Sequence, residues 1–360
     1  MPLSTQFSIA IKAPSALQTA CLALASGQSA NFPAGAQSSY SLADVEWQGA
    51  FHHDGLNDII HLMGKPANND GQWKHQTYNV ATGAWTLDTN DITIGGSGWN
   101  YPGHIYGNTC IDDTTGDLYQ THGGMTGNGT NDRRAGWWKA ASPGWNNAPV
   151  NQAIFSGAME SHMGGLGWHP NMFGPGDGGY AMMMQEQIMF WRKANDAVFA
   201  TTNSTAYYGN LYGQAAYSKY LDFLLIGGGD TASPYGHLAK VKYSGTPGAK
   251  PTVTDAGLPP IATQSNTRIG GPAGGFGSLH VHPGNGAKFI ILGTVGTNNY
   301  WTSLDGTNWT LAGQHPFAIE SASGSQAHVV CALKRGLGCF WCVGVTDAGA
   351  QVSTLWRPPL

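Results

Sequence analysis

Gly103-His104-Ile105-Tyr106-Gly107-Asn108-Thr109-Cys110-Ile111-Asp112-Asp113-Thr114-Thr115-Gly116-Asp117-Leu118-Tyr119-Gln120-Thr121-His122-Gly123-Gly124 is the stretch that decides the fold. A strand of small residues runs to Asp112, a tight turn follows at Thr114-Thr115-Gly116-Asp117, and a second strand ends on the Gly123-Gly124 pair. Gly and Asp tolerate the backbone angles a reversal needs, so turn residues between two extended runs read as a hairpin.

Five further segments carry the same grammar. Phe51-His52-His53-Asp54 leads through Gly55 to Ile59-Ile60-His61-Leu62-Met63-Gly64. Gly167-Trp168-His169-Pro170 is followed by a turn at Gly176-Asp177-Gly178-Gly179 and by Tyr180-Ala181-Met182-Met183-Met184. Ala215-Ala216-Tyr217-Ser218 precedes Phe223-Leu224-Leu225-Ile226-Gly227-Gly228, and Leu279-His280-Val281-His282-Pro283 precedes Phe289-Ile290-Ile291-Leu292-Gly293. His328-Val329-Val330-Cys331 precedes Cys339-Phe340-Trp341-Cys342-Val343-Gly344. A period of about 50–60 residues is that of propeller blades with four strands each. The second strands are near-continuous apolar runs, as expected where neighbouring blades cover both faces. The outer halves repeat an aromatic pair, Tyr78 with Trp85 and Trp138 with Trp145, suited to packing between blades.

The glycine pair ending strand two and the Tyr seven residues before a Trp resemble kelch and galactose-oxidase-type propellers. Ser303-Leu304-Asp305-Gly306-Thr307-Asn308-Trp309 resembles a shortened Asp-box turn of sialidase-type propellers. The fold expected is all-β, a single six-bladed β-propeller over residues 28–360. The last blade has three strands after Ala327, ending at Gln351–Trp356. A closed ring leaves no spare edge, so its fourth strand is expected from Ser29–Pro33. Residues 1–27 then stand outside the ring as an extension. Ala16–Ala25 within it reads as a short helix with an apolar face, capped by Ser15 or started near Pro14 and stopped at Gly27, rather than as a signal-peptide core.

Composition bounds the function. Charged residues are 11% of the chain, against 52 Gly, and 13 Trp, 14 Tyr and 12 Phe supply apolar area. A formal net charge of −4 and only six Arg argue against nucleic-acid binding. No run is long and apolar enough to span a membrane as a helix. Cys339-Phe340-Trp341-Cys342 lies in a strand pattern, where its sulfurs point to opposite faces, so buried thiols are expected. A disulfide between Cys331 and Cys339 across the hairpin stays open.

In a propeller the loops entering the innermost strands open on one face. Counting back from each strand-one end gives Glu46, His104, His162, Asn210, Gly275 and Ser325 as a ring at the channel mouth. Glu46, His104 and His162 form a metal-capable set. The alternative is a polar funnel of hydrogen-bonded side chains, and no cofactor is expected. Glu160 and Glu320 are candidate acid–base carboxylates across that funnel. The mouth loops also carry Trp47, Tyr106, Tyr208, Tyr212 and Phe276, rings suited to stacking on sugar faces. The opening Met-Pro-Leu-Ser-Thr-Gln and Lys12-Ala-Pro-Ser-Ala-Leu, followed by a propeller, resemble proteins encoded near tail genes of tailed phages. That resemblance implies a non-enzymatic virion component, attached to other virion proteins through residues 1–27, that displays its mouth loops to host-surface glycan. The rival expectations are a polysaccharide-acting hydrolase or lyase, a pure scaffold or decoration protein, and secretion rather than packaging in a virion.

Overall fold

A computed structural model describes residues 13–33, 50–64, 74–89, 107, 109–120, 136–147, 164–184, 187–200, 213–227, 236–263, 276–293, 298–317, 328–345 and 351–360. After a helix, α1 (Ala16–Ala23), and a short strand, β1 (Ser29–Asn31), the chain winds six antiparallel blades. Blade one is β2 (Ala50–Asp54), β3 (Ile59–Gly64), β4 (Lys74–Asn79) and β5 (Ala84–Thr89). Blade two is β6 (Thr109–Ile111), β7 (Leu118–Gln120), β8 (Gly136–Trp138) and β9 (Trp145–Asn147). Blade three is β10 (Gly164–Gly174), β11 (Asp177–Met184), β12 (Gln187–Arg192) and β13 (Ala197–Ala200). Blade four is β14 (Gln214–Ser218), β15 (Phe223–Gly227), β16 (Leu238–Lys242) and β17 (Thr252–Gly257). A two-residue strand, β18 (Ala262–Thr263), precedes blade five, which is β19 (Phe276–Val281), β20 (Phe289–Gly293), β21 (Asn299–Ser303) and β22 (Thr310–Gln314). Blade six is β23 (His328–Ala332), β24 (Phe340–Val345) and β25 (Gln351–Trp356), with β1 as its outer strand: Ser29 pairs with Trp356 and Asn31 with Thr354.

The chain is a six-bladed β-propeller. Four strands per blade is not uniform, because β18 runs parallel to β19 and gives blade five a fifth strand on its inner edge. Strand one of blade three runs past Pro170 to Gly174, with the register shifting between His169 and Gly174.

Period-two alternation explains the apolar second strands, since successive side chains leave the sheet on opposite faces. In β20, Phe289 and Ile291 face blade four, while Ile290 and Leu292 face blade six. In β24, Phe340 and Cys342 face blade five, while Trp341 and Val343 face blade one. Every junction between neighbouring blades holds its own buried apolar cluster of this kind. Trp341 is fully buried where blades six and one meet, its ring edge-on to Phe32, Phe51 and Tyr78 and its Nε1 donating to Ser353 Oγ at 2.9 Å.

The same cluster takes in part of α1. Leu17, Cys21 and Leu24 pack into it, and the Arg357 guanidinium donates to Cys21 O at 2.7 Å. Ser15 starts the helix through a capping box with Gln18, which satisfies two otherwise orphaned amides.

The cysteine expectations divide. All five cysteines are buried free thiols, and Cys339 and Cys342 belong to clusters on opposite faces of blade six. Cys331, however, lies opposite Trp341 rather than Cys339, so the hairpin pairing is not made.

Trp341→Ala is expected to lower stability by about 3–5 kcal/mol in urea melts, because it empties a ring-sized volume and strands Ser353. Removal of residues 1–27 should cost about 2–5 kcal/mol from the loss of three buried side chains, read as a lower urea midpoint with the β-sheet circular dichroism retained.

Candidate functional site

The inner strands β2, β6, β10, β14, β19 and β23 surround a central channel. All six blades contribute to a cavity of ≈ 800 Å³ within it. The turns joining strands one and two close around one end.

At this end a contact links each blade to the next. Gly116, at φ 78°, sits where a Cβ would fall 2.2 Å from Asn57 Nδ2 and 2.4 Å from Asp54 Oδ2, so the turns of blades one and two tile only if this residue is glycine. Lys193 of blade three reaches the buried Asp112 of blade two. Asn171 Nδ2 donates to Asp222 Oδ1 at 3.4 Å, and Ser218 Oγ donates to Gly286 O at 2.6 Å. His282 Nε2 donates to Pro359 O at 2.9 Å. Lys334 N donates to His53 Nδ1 at 2.8 Å, and Arg335 Nη1 lies 3.1 Å from Asp58 Oδ2. Lys334 Nζ also reaches Asp113, linking blades six and two beside the cavity. Asp112 and Asp117 of the founding hairpin are therefore used within the fold: Asp112 accepts from Thr114 N and Lys193, and Asp117 accepts from Ala140 N.

Inside the cavity lies a polar belt. His52 Nε2 is 2.7 Å from Thr109 Oγ1, joining blades one and two. His280 Nε2 is 3.0 Å from Ser278 Oγ, and the ring meets Phe340 edge-on. Gln214 Oε1 accepts from Leu279 N, joining blades four and five. Tyr217 donates its hydroxyl to Asp222 Oδ1 at 2.9 Å. Burial, with Lys334 adding to it, pulls the His52 imidazole down to about 4. Burial and the neighbouring His52 pull His280 down to about 3. Both rings are neutral at physiological pH. Each then presents one N–H donor and one acceptor nitrogen, the complement a hydroxyl needs, without an isolated buried charge. At the turn end the cavity is rimmed by Lys219, stacked over Tyr220 at 5.0 Å, and by the Lys334–Asp113 pair.

Glu46, Trp47, His104, Tyr106, Glu160, His162, Tyr208, Asn210, Tyr212 and Glu320 fall outside the described residues. Phe276 begins β19, and only its backbone is described. Among the described residues, no group of three or more His, Cys, Asp or Glu is arranged to hold a metal ion, and no helix is long and apolar enough to cross a membrane. Sequence reasoning passed over His52, Thr109, Gln214 and His280. The available signal was a pair of histidines on strand one of two blades, read there as strand residues alone.

No protein-family model matches the chain, and no curated protein matches it in sequence. Solved structures share its architecture at low identity, and their likeness speaks to the fold. AofleA from Arthrobotrys oligospora, as a triple arginine-to-alanine mutant, is 10% identical at a TM-score of 0.56, over 93% of this chain and 88% of that one. The SapL1 lectin in complex with alpha methyl fucoside is 12% identical at a TM-score of 0.50, over 89% of this chain and 100% of that one. An auxiliary nutrient binding protein from Bacteroides thetaiotaomicron is 9% identical at 0.51, over 86% and 69% respectively. The chain's structural neighbours thus include a sugar-binding lectin.

The buried imidazoles make stability acid-sensitive. His52, His169 and His315 lie near 4 and His280 near 3, chiefly through burial, against 6.5 for an exposed ring. Between pH 6.5 and 4 the unfolded chain takes up protons that the folded chain does not, so stability is lost as pH falls through that window. Each such histidine contributes about 1.4 kcal/mol per pH unit. Melting temperature should fall steadily from pH 7 to 4.5, and His280→Gln should flatten the slope relative to wild type.

Proposed function

We propose that this chain is a carbohydrate-binding propeller that receives a neutral saccharide in its central channel, and that it serves as a receptor-binding component of a tailed-phage virion. The cavity carries the first part: its polar belt of neutral imidazole, hydroxyl and amide groups on the inner strands of blades one, two, four and five offers paired donors and acceptors to sugar hydroxyls. The likeness to a lectin in complex with a fucoside is consistent with that reading. Trp47, Tyr106 and Tyr208 would stack on sugar rings in this proposal. The virion assignment, with attachment to other virion proteins through residues 1–27, rests on the resemblance of the opening segments and of the propeller that follows them.

The direct test is a glycan array followed by calorimetry on the full chain. Saccharide binding is expected, weakened about tenfold by His52→Ala or His280→Ala, which is the loss of roughly one well-made hydrogen bond. If no glycan binds, or if both variants bind like wild type while folding normally, the channel reading fails. Release of shortened or unsaturated saccharide products would establish the enzymatic alternative instead. Mass spectrometry of purified virions decides the second part, since absence of the chain from them would remove it.

A further inference from the structure

We propose that Cys21 and Cys339 are a reversible disulfide pair that fastens the N-terminal helix to the blade closing the ring. Both side chains are fully buried in the same cluster, and Cys339 Sγ lies 3.8 Å from Cys21 O. The pairing joins residues far apart in sequence, one on α1 and one immediately before β24.

Arg357 holds the pair in place. Its Nη2 donates to Cys21 O at 2.7 Å and to Leu337 O at 3.0 Å, and its backbone exchanges hydrogen bonds with Gly27 and Gln28. One residue therefore ties together the helix, the turn before Cys339 and the start of β1. Gly338 stands at φ 67°, where a Cβ would fall 2.9 Å from Arg357 Nη1, so the guanidinium can lie over the turn only because this position is glycine.

The chemistry follows from the same geometry. The neighbouring Cys21 side chain, with Arg357 adding to the effect, holds the Cys339 thiol below its usual range, whereas the Cys21 thiol is pushed up. Cys339 is thus the sulfur that attacks first. With a low-molecular-weight disulfide such as oxidised glutathione as oxidant, the Cys339 thiolate attacks one glutathione sulfur and expels the other half as a thiolate. Cys21 then gives up its proton to that thiolate. The Cys21 sulfur attacks Cys339 Sγ, breaks the mixed disulfide and releases the second glutathione. Two protein thiols are oxidised and one glutathione disulfide is reduced to two thiols. Fraying of α1, a helix of two turns, admits the oxidant.

The other three cysteines serve as internal controls. Burial pushes Cys331 up to about 12 and raises Cys110 and Cys342 as well. None of the three shares a cluster with a second thiol other than Cys331, which sits with this pair but lies across the hairpin from Trp341.

The test equilibrates the full chain in oxidised glutathione or in dithiothreitol, then denatures, alkylates and maps peptides. The expected result is a Cys21–Cys339 cross-linked peptide in the oxidised sample, with Cys110, Cys331 and Cys342 alkylated. Melting temperature should rise by about 5 °C on oxidation and return on reduction, because the bridge closes a very long loop. Cys21→Ser and Cys339→Ala should each abolish the shift, while wild-type mapping stands on its own should either variant fold poorly. Five alkylated cysteines after oxidation, a cross-link between other cysteines, or a bridge that leaves the melting temperature unchanged would each overturn the proposal.

Discussion

No blade of this protein can bury itself. A four-stranded antiparallel sheet has two faces, and here the second strand of every blade carries apolar side chains on both, so each face is completed only by the next blade around the ring. Stability is shared among the junctions between blades rather than lodged in one core. The junction of blades six and one differs from the rest, because two parts of the chain that are remote in sequence must meet there. Among the described residues it is also the largest in membership, drawing on α1, Phe32 and both blades around Trp341. The helix is thus part of what makes closure favourable.

Around one end of the channel the polar residues do for the turns what the apolar residues do for the sheets. Each junction carries at this end a hydrogen bond, an ion pair or a close glycine contact between successive blades. Two use a histidine. His53 accepts from Lys334 N and faces Asp58 with its other nitrogen, and His282 accepts from Gly284 N while donating to Pro359 O. Low charge content is compatible with such a network, since neutral groups satisfy one another without the desolvation a buried ion costs. A firmly tiled end leaves the channel walls fixed in position, which favours recognition by preorganised groups.

The fold was legible because its signal is local and repeated: Phe289-Ile290-Ile291-Leu292 and its counterparts announce strands covered on both sides, and the turns between them carry Gly and Asp. The contact of α1 with the ring was not, since nothing near Leu17 or Cys21 in sequence indicates a partner beyond residue 330. The same distance hid Cys339's neighbour; the hairpin suggested Cys331, but pairing register sets Cys331 against Trp341. The Asp-box likeness was readable in detail. Asp305 accepts from Thr307 N, Asn308 N and Asn308 Nδ2. Burial pushes the carboxyl up, yet these bonds and Ser303 hold it well below its usual range. Asp54 and Asn57 repeat that clasp in blade one. For the site, strand-one histidines gave no sign that His52 and His280 share a channel, because that depends on the ring's curvature and not on spacing along the chain.

The pairing of Ser29–Asn31 with Thr354–Trp356 has a consequence during synthesis. The closing strand leaves the ribosome first, and its partner follows roughly 325 residues later, an interval of tens of seconds at ordinary translation rates. Throughout that time α1 and β1 have no blade to join, and Cys21 is without its covering cluster. Blades one to five can stack as they emerge, but the molecule becomes a ring in a single late event. A nascent chain stalled before Trp356 would therefore be an open stack with one bare face at each end, and that is the species most exposed to self-association.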